Sequence, residues 1–400
     1  MMLTTTTTKT TKPASTPSPP SVSSLLCFAI LLSILAGPTT VRGFVPAISP
    51  SVTMKSAMRM SASAATTTVP SWSDLKKRSE ETPVGKALLE ETELRKQGKG
   101  SAHVQNKLRK FGSDSEPQIT LFRDHAGWCP YCEKTMLLVE EKEIPIKIDL
   151  VPMRSYGDKP RDFLQKVPSG LLPAIEINNQ IITESQVIME LLDARHQDGY
   201  KKMMPTTDDA MSRYYKLARL ERELFSWWCT LLFRPEGMAS LGSVFSNPFA
   251  KEQDGMSSAM KAFLDCIGTV NQELSKTEGP WFFDEFDHPT MIDFIYVSHV
   301  ERMLASCAFW KGLDLRDPKW KLDGLNAWLE AFEQREHYLA FKSDYFTNAM
   351  DIPPQYGPGY DGGFEKDRQE MKANILGKVR EELYCLSKRQ ICVCVCDNDC

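Results

Sequence analysis

The sequence predicts an α/β unit followed by an all-helical one. Between residues 118 and 196, short β-prone runs alternate with short helical ones, and from Asp208 to about residue 347 apolar residues recur at helical spacing. The bulk numbers agree: 400 residues, 42% hydrophobic and 25% charged, describe an ordinary globular chain of two or three domains. A net charge of −4 provides no basic footprint, so no nucleic-acid partner is expected.

The chain begins with an address. No Asp or Glu precedes Asp74, whereas Lys9, Lys12, Arg42, Lys55 and Arg59 are basic. Leu25 to Gly37 is an apolar run too short to cross a bilayer comfortably, but it suits a signal-peptide core with Lys9 and Lys12 as its positive flank. Residues 1–43 are therefore expected to be a signal peptide, cleaved near Val41-Arg42-Gly43. Residues 44–73, rich in Ser, Thr, Ala and Met and free of acids until Asp74, are expected to be a transit peptide beginning at Phe44. The pairing resembles the two-part plastid leader of algae with secondary plastids and implies a plastid protein. Secretion is the alternative, and the unpaired single cysteines fit it poorly. Loss of residues 1–73 leaves a mature charge of −9. No apolar run after the leader reaches membrane length, so no stable membrane insertion of the mature protein is expected.

Residues 74–117 read as a charged helical extension. Asp74 to Arg78 and Val84 to Lys96 have helical composition, and Gly98-Lys99-Gly100 breaks it. In residues 118–196, Ile119 to Phe122 is a β-prone run, and Cys129-Pro130-Tyr131-Cys132 opens a helix over Glu133 to Glu141. Ile144 to Leu150 alternates as a half-buried strand, and a short helix follows around Pro160 to Gln165. Ala174 to Ile177 and Gln180 to Ile182 form a hairpin across Asn178-Asn179, and Thr183-Glu184-Ser185 caps a helix from Gln186 to about His196. This order of elements is that of a thioredoxin-like domain. Leu172-Pro173, just ahead of a strand, is a place where a cis peptide is tolerated.

Residues 208–347 read as helical. Ser212 to Phe233 carries the stripe Leu217, Leu220, Leu224, Trp227, Trp228 and Leu231. Gly237 to Asn247 reads as loop and Met256 to Leu274 as the next helix. Thr290 and Asp293 have the spacing of a capping box ahead of the apolar run Phe294 to Leu304, so Asp293 is read as structural. Tyr214, Trp227 and Trp228 are candidates to line a cleft between the two units. Residues 348–400 read as an extended tail: a surface segment over Asp351 to Gly363, a helix over Glu365 to Leu386, and a Cys-rich end at Cys385, Cys392, Cys394, Cys396 and Cys400. Such a cluster can bind soft metals, but it has no His partner, and no metal site is assigned.

Three landmarks in order, Cys129-Pro130-Tyr131-Cys132, Leu172-Pro173 and Glu184-Ser185, resemble the N-terminal domain of cysteine-type glutathione transferases of the omega, lambda and dehydroascorbate-reductase classes. The Cys-Pro-Tyr-Cys run is also similar to the dithiol motif of glutaredoxins. The resemblance covers residues 118–347 and implies an all-helical glutathione-transferase C-terminal domain after the thioredoxin-like one, with glutathione as cosubstrate and a homodimer. It implies that the backbone at Leu172, before Pro173, pairs with the cysteinyl part of glutathione. Glu184 and Ser185 take its γ-glutamyl end, Lys159 approaches the peptide, and Tyr131 borders the sulfur.

The chemistry follows from the sulfur. A thiol reacts as its thiolate, and Cys129 stands where a helix begins, so unpaired N–H groups and the helix dipole favour negative charge there. Pro130 occupies the first helical position, where its missing N–H costs nothing. A more acidic thiol is intrinsically less nucleophilic, with a Brønsted slope of about 0.45, but it leaves a mixed disulfide faster. The motif therefore suits turnover of a Cys129–glutathione adduct, with Cys132 as a resolving thiol in a dithiol route or a bystander in a monothiol one. The expected function is glutathione-dependent thiol transfer or reduction of an unidentified disulfide or electrophile. Conventional conjugation and a non-catalytic, chloride-channel-like role are the alternatives.

Overall fold

A computed structural model describes residues 69–153, 157–235 and 256–377. The expected signal peptide, nearly all of the transit peptide, the loop at 237–247 and the Cys-rich end lie outside the described residues.

Ser71 opens α1 (Trp72–Glu81) with a capping box: its hydroxyl accepts from the Asp74 N–H, and Asp74 accepts from the Ser71 N–H. Thr82 caps α2 (Pro83–Lys96), whose first residue is the proline favoured there. α1 and α2 cover the two stretches of helical composition, and after Gly98-Lys99-Gly100 comes a strand, β1 (Leu108–Arg109), which the expected charged helical extension does not include. Arg109 donates to Glu140 at 2.7 Å in a buried ion pair, which fastens this strand to the body. A two-residue strand carries no periodicity, and only its partner reveals it.

A five-stranded sheet follows in the order β1, β3, β2, β4, β5. The central strand β2 (Ile119–Asp124) leads through α3 (Pro130–Lys142) to β3 (Ile146–Val151), which lies parallel to it with Leu121 opposite Ile148. After α4 (Arg161–Lys166), β4 (Ala174–Ile177) runs antiparallel to β2, with Phe122 opposite Ala174. β5 (Gln180–Ile182) completes the hairpin across Asn178 and Asn179, at φ of 52° and 63°, the left-handed geometry that a two-residue hairpin turn requires. α5 (Ser185–Arg195) closes the unit. Leu121, Leu137, Ile148, Ile175 and Ile188 are buried in one apolar core.

The helical part comprises α6 (Asp208–Phe233), α7 (Ser258–Leu274), α8 (Met291–Lys311), α9 (Asp323–Glu333), α10 (Glu336–Phe341) and α11 (Tyr345–Tyr356). α8 is buried along nearly its whole length and packs against α3, α6 and α11. The Asp293 carboxylate accepts from the Thr290 N–H at 2.8 Å and the Thr290 hydroxyl at 2.7 Å. It also takes the Phe282 N–H at 3.3 Å and Trp328 Nε1–H at 2.9 Å. The start of α8 is thereby tied to α9 and to the preceding loop.

Two expectations are corrected here. Asp351 to Tyr356 is not an extended surface segment but the end of α11, helical despite Pro353 and Pro354. Ile352 is buried in the core, and the Tyr356 ring stacks on Phe233 at 5.7 Å, so packing overrides the proline signal. Tyr214 and Trp228 do not line a cleft: both are fully buried, and Trp228 Nε1–H donates to Ser306 at 2.9 Å. Trp227 is half-buried against the same core. Residues 365–377 are helical.

Candidate active site

Cys129 is the residue before α3, with extended backbone and no side-chain cap on the helix it opens. Its carbonyl accepts from the N–H groups of Cys132 at 3.1 Å and Glu133 at 2.9 Å, which starts the helix. Pro130 follows at the first helical position. Cys129 and Cys132 are free thiols and both are buried. Burial and the neighbouring Cys129 sulfur push the Cys132 thiol well above its ordinary range.

The loop before Cys129 is organised by Asp124, the last residue of β2 and fully buried. Its Oδ2 accepts from the N–H groups of Gly127 at 2.6 Å, Trp128 at 3.0 Å and Cys129 at 3.4 Å. Gly127 sits at φ +78°, and a Cβ there would meet Val104 at 2.8 Å, so the turn requires glycine. A carboxylate oxygen of Asp124 and the two sulfurs of Cys129 and Cys132 all lie within 4.8 Å of one another. Arg123 is structural: its Nε donates to the Asp124 carbonyl at 3.0 Å, and its guanidinium lies over Phe341. The His125 backbone is held by Val151 O and by Gln105, in keeping with a loop role.

From the helical side, Arg302 of α8 reaches the same loop. Its Nε and Nη2 donate to the Trp128 carbonyl, the former at 3.1 Å. Its Nη1 bonds Glu133 of α3 and Glu301, each at 2.8 Å, and the Tyr338 hydroxyl donates to Glu301 at 3.2 Å. Burial, with Glu301 alongside, pushes the Glu133 carboxyl well up, and burial raises Glu301 too. One arginine therefore clamps the Cys129 loop, α3 and α8 together.

Tyr131 is half-buried, with its ring edge-on to His299 at 5.4 Å and the Lys134 ammonium 5.4 Å from its centre. His299 Nδ1 lies 2.7 Å from Glu221, which also binds Arg222 through two hydrogen bonds. Burial brings His299 down to about 4, so the neutral ring donates from Nδ1 to an ionised Glu221. Glu221 is held at about 2, because its bonds to His299 and Arg222 outweigh the cost of burial. Burial lowers Lys134 to about 8 against the pull of Glu221, Cys129 and Glu184.

The β2–β4 register brings the Asp124 end of β2 level with Leu172 and Pro173, which are joined by a cis peptide bond. Glu184, immediately before α5, is exposed and held at φ +68°, a left-handed conformation uncommon outside glycine, asparagine and aspartate. Its side chain makes no cap bond. Lys159 Nζ donates to the Pro152 carbonyl at 3.1 Å and lies over the Phe163 ring, with burial lowering its pKa. Its charge lies within electrostatic range of Cys132, Cys129 and Asp124.

Asp124, Glu133, Lys134, Glu221, His299, Glu301 and Arg302 are absent from the sequence reading of the site. A signal existed for two of them: Glu301-Arg302 is a charged pair inside an otherwise apolar helical run, which burial permits only with partners. Asp124 carries no such signal, lying just past the β-prone run Ile119 to Phe122.

Residues 128–195 match the glutathione S-transferase N-terminal domain family. The chain is 24% identical over 162 residues to glutathione S-transferase DHAR2 of Arabidopsis thaliana, covering 40% of this chain and 62% of that one. It is 27% identical over 260 residues to glutathione S-transferase omega-1 of Mus musculus, covering 62% of this chain and 88% of that one. Among solved structures, the dehydroascorbate reductase of Chlamydomonas reinhardtii aligns at a TM-score of 0.46 and 17% identity, over 60% of this chain and 99% of that one. The chain is thus similar to omega-class and dehydroascorbate-reductase-type glutathione transferases, and its match to the glutathione S-transferase N-terminal domain begins one residue before Cys129.

Proposed function

We propose that the protein is a glutathione-dependent thiol transferase or reductase in which Cys129 forms and releases a mixed disulfide with glutathione. The observation that carries this is the pairing of a buried free cysteine at the uncapped start of α3 with the uncapped start of α5 at Glu184 and Ser185. Helix starts without side-chain caps present N–H groups and positive potential to an anionic ligand. The γ-glutamyl end of glutathione offers a carboxylate to the Ser185 hydroxyl and helix N–H groups, and an ammonium to the Glu184 carboxylate. The backbone at Leu172, before Pro173, takes the cysteinyl part as an added strand. Lys159 and Tyr131 flank the peptide. A cysteine suits thiol exchange better than conjugation, because it binds the glutathione sulfur covalently and removes it from use as a nucleophile. The second substrate in this reading is a disulfide or a small electrophile. The activity of the relatives' class supports the same reading. We further read residues 1–73 as a plastid address, to be tested by fusing them to a fluorescent reporter in an alga with secondary plastids.

The decisive assay is turnover of a glutathione mixed disulfide by the purified protein, comparing wild type, Cys129→Ser and Cys132→Ser. Loss of turnover in Cys129→Ser is expected. Full activity in that variant, or measurable transfer of glutathione to a model electrophile by it, would move the protein to conjugation.

A further inference from the structure

We propose that Asp124 is the proton acceptor for Cys132, so that Cys132 closes on Cys129 and expels glutathione from the mixed disulfide. This rests on the thiol-exchange reading above and commits the protein to a dithiol route.

The geometry is that of two sulfurs and a carboxylate sealed from water. Cys132 is 1% exposed and Asp124 0%. No more than 4.8 Å separates the carboxylate oxygen and the two sulfurs. The two oxygens of Asp124 have different surroundings. Oδ2 takes the three N–H groups of Gly127, Trp128 and Cys129, whereas Oδ1 accepts no hydrogen bond from the described residues. The nearest cation, Arg123 Nη2, stands 3.9 Å away, and Arg123 commits its Nε to the Asp124 carbonyl. A buried carboxylate oxygen left without a donor is a cost, and most such atoms in native structures are satisfied. Here a carboxylate oxygen of the same residue lies within 4.8 Å of a thiol that must lose its proton to act.

Cys132 cannot pass that proton to solvent, since its sulfur is buried, and burial beside a second sulfur disfavours a free thiolate. Lys159, whose charge lies within reach of the same sulfurs, already donates to Pro152 and offers no lone pair while protonated. Asp124 is the acceptor in place.

The step balances without an outside oxidant. The Cys132 S–H proton passes to the Asp124 carboxylate as the sulfur's electron pair forms a bond to Cys129 Sγ. The bond between Cys129 and the glutathione sulfur breaks, and glutathione leaves as its thiolate, which takes a proton from water. Cys132 is oxidised, glutathione is reduced, and Cys129 stays at the disulfide level. Attack by free glutathione later reopens the Cys129–Cys132 bond, and Asp124 returns its proton to Cys132.

The test is a single turnover. Cys129 of the full chain is loaded by glutathione disulfide, and released glutathione and the Cys129–Cys132 disulfide are followed by mass spectrometry. Asp124→Asn keeps an oxygen for the three loop N–H groups but cannot accept the proton. Closure should slow at least tenfold in this variant, with the mixed disulfide accumulating. In a Cys132→Ser background the same substitution should leave loading of Cys129, and its release by free glutathione, within about twofold. Wild-type closure in Asp124→Asn overturns the proposal. So does an equal slowing of the Cys132→Ser background, which would make Asp124 a loop support alone. If loading is normal and only closure is unaffected, the thiol-exchange reading survives. If Cys129 is never loaded, that reading fails and takes the inference with it.

Discussion

Two helix starts in this molecule are built in opposite ways. α8 begins on a sealed anchor, where one carboxylate of Asp293 collects donors from Thr290, Phe282 and Trp328. α6, α7 and α11 likewise begin on Thr207, Ser257 and Asp344, each accepting a backbone N–H. α3 and α5 begin on Cys129 and Glu184, which make no such bond. Caps at helix starts are worth about 1 kcal/mol each, and α4, α9 and α10 also do without one. Of the open starts, those of α3 and α5 lie within the segment that matches the glutathione S-transferase N-terminal domain, and the first carries the thiol. The contrast is between a start anchored by buried donors and the two open starts proposed above to meet glutathione.

That contrast can be broken at either end. The largest effect should come from Cys129→Ser, with turnover of a glutathione mixed disulfide falling at least 100-fold, a loss of about 3 kcal/mol or more in transition-state stabilisation, while the melting temperature hardly moves. Asp293→Ala should do the reverse, removing about 3 kcal/mol of unfolding free energy in urea because it orphans several buried donors. A loss under about 1 kcal/mol would make the anchor dispensable.

Acid should probe the sealed side of the contrast. His299 is pushed down to about 4 by burial, from an ordinary value of 6.5. Between those values the unfolded chain binds the proton and the fold does not, so stability is full above pH 6.5 and falls as pH drops toward 4. The change is up to about 3 kcal/mol, and His299→Asn should flatten that part of the stability profile. The smallest effect belongs to the open side. Glu184→Gln should weaken glutathione about tenfold by calorimetry, roughly 1.4 kcal/mol, with unfolding unchanged. Glu184→Gly should weaken binding similarly yet hold or slightly raise stability, because glycine relieves a backbone at φ +68°. A large loss of stability in either Glu184 variant would erase the distinction between the two kinds of helix start.

What the sequence made legible was local. The Cys129 helix start, the cis Leu172-Pro173 bond, the Asn178-Asn179 turn and the Thr290–Asp293 pairing each depend on residues within a few positions of one another. What it hid was joined across the chain. Arg302 meets the Trp128 carbonyl from 174 residues away, and His299 meets Glu221 from 78. No spacing rule reaches that far, and only the charged pair Glu301-Arg302 inside an apolar helix hinted at it. Pro353 and Pro354 misled in the other direction, because the apolar contacts of Ile352 and Tyr356 keep the helix going through a local breaker.

The short strand β1 sets how far the chain can be trimmed from its start. It lies antiparallel along β3, with Leu108 opposite Lys147, and occupies the rim of the sheet on that side. Removal of residues 1–73, the plastid address proposed above, would leave it in place. A cut beyond Lys107 would instead strip the rim and bare the unpaired backbone of β3 to neighbouring chains, so a truncated form should precipitate where the longer one stays in solution.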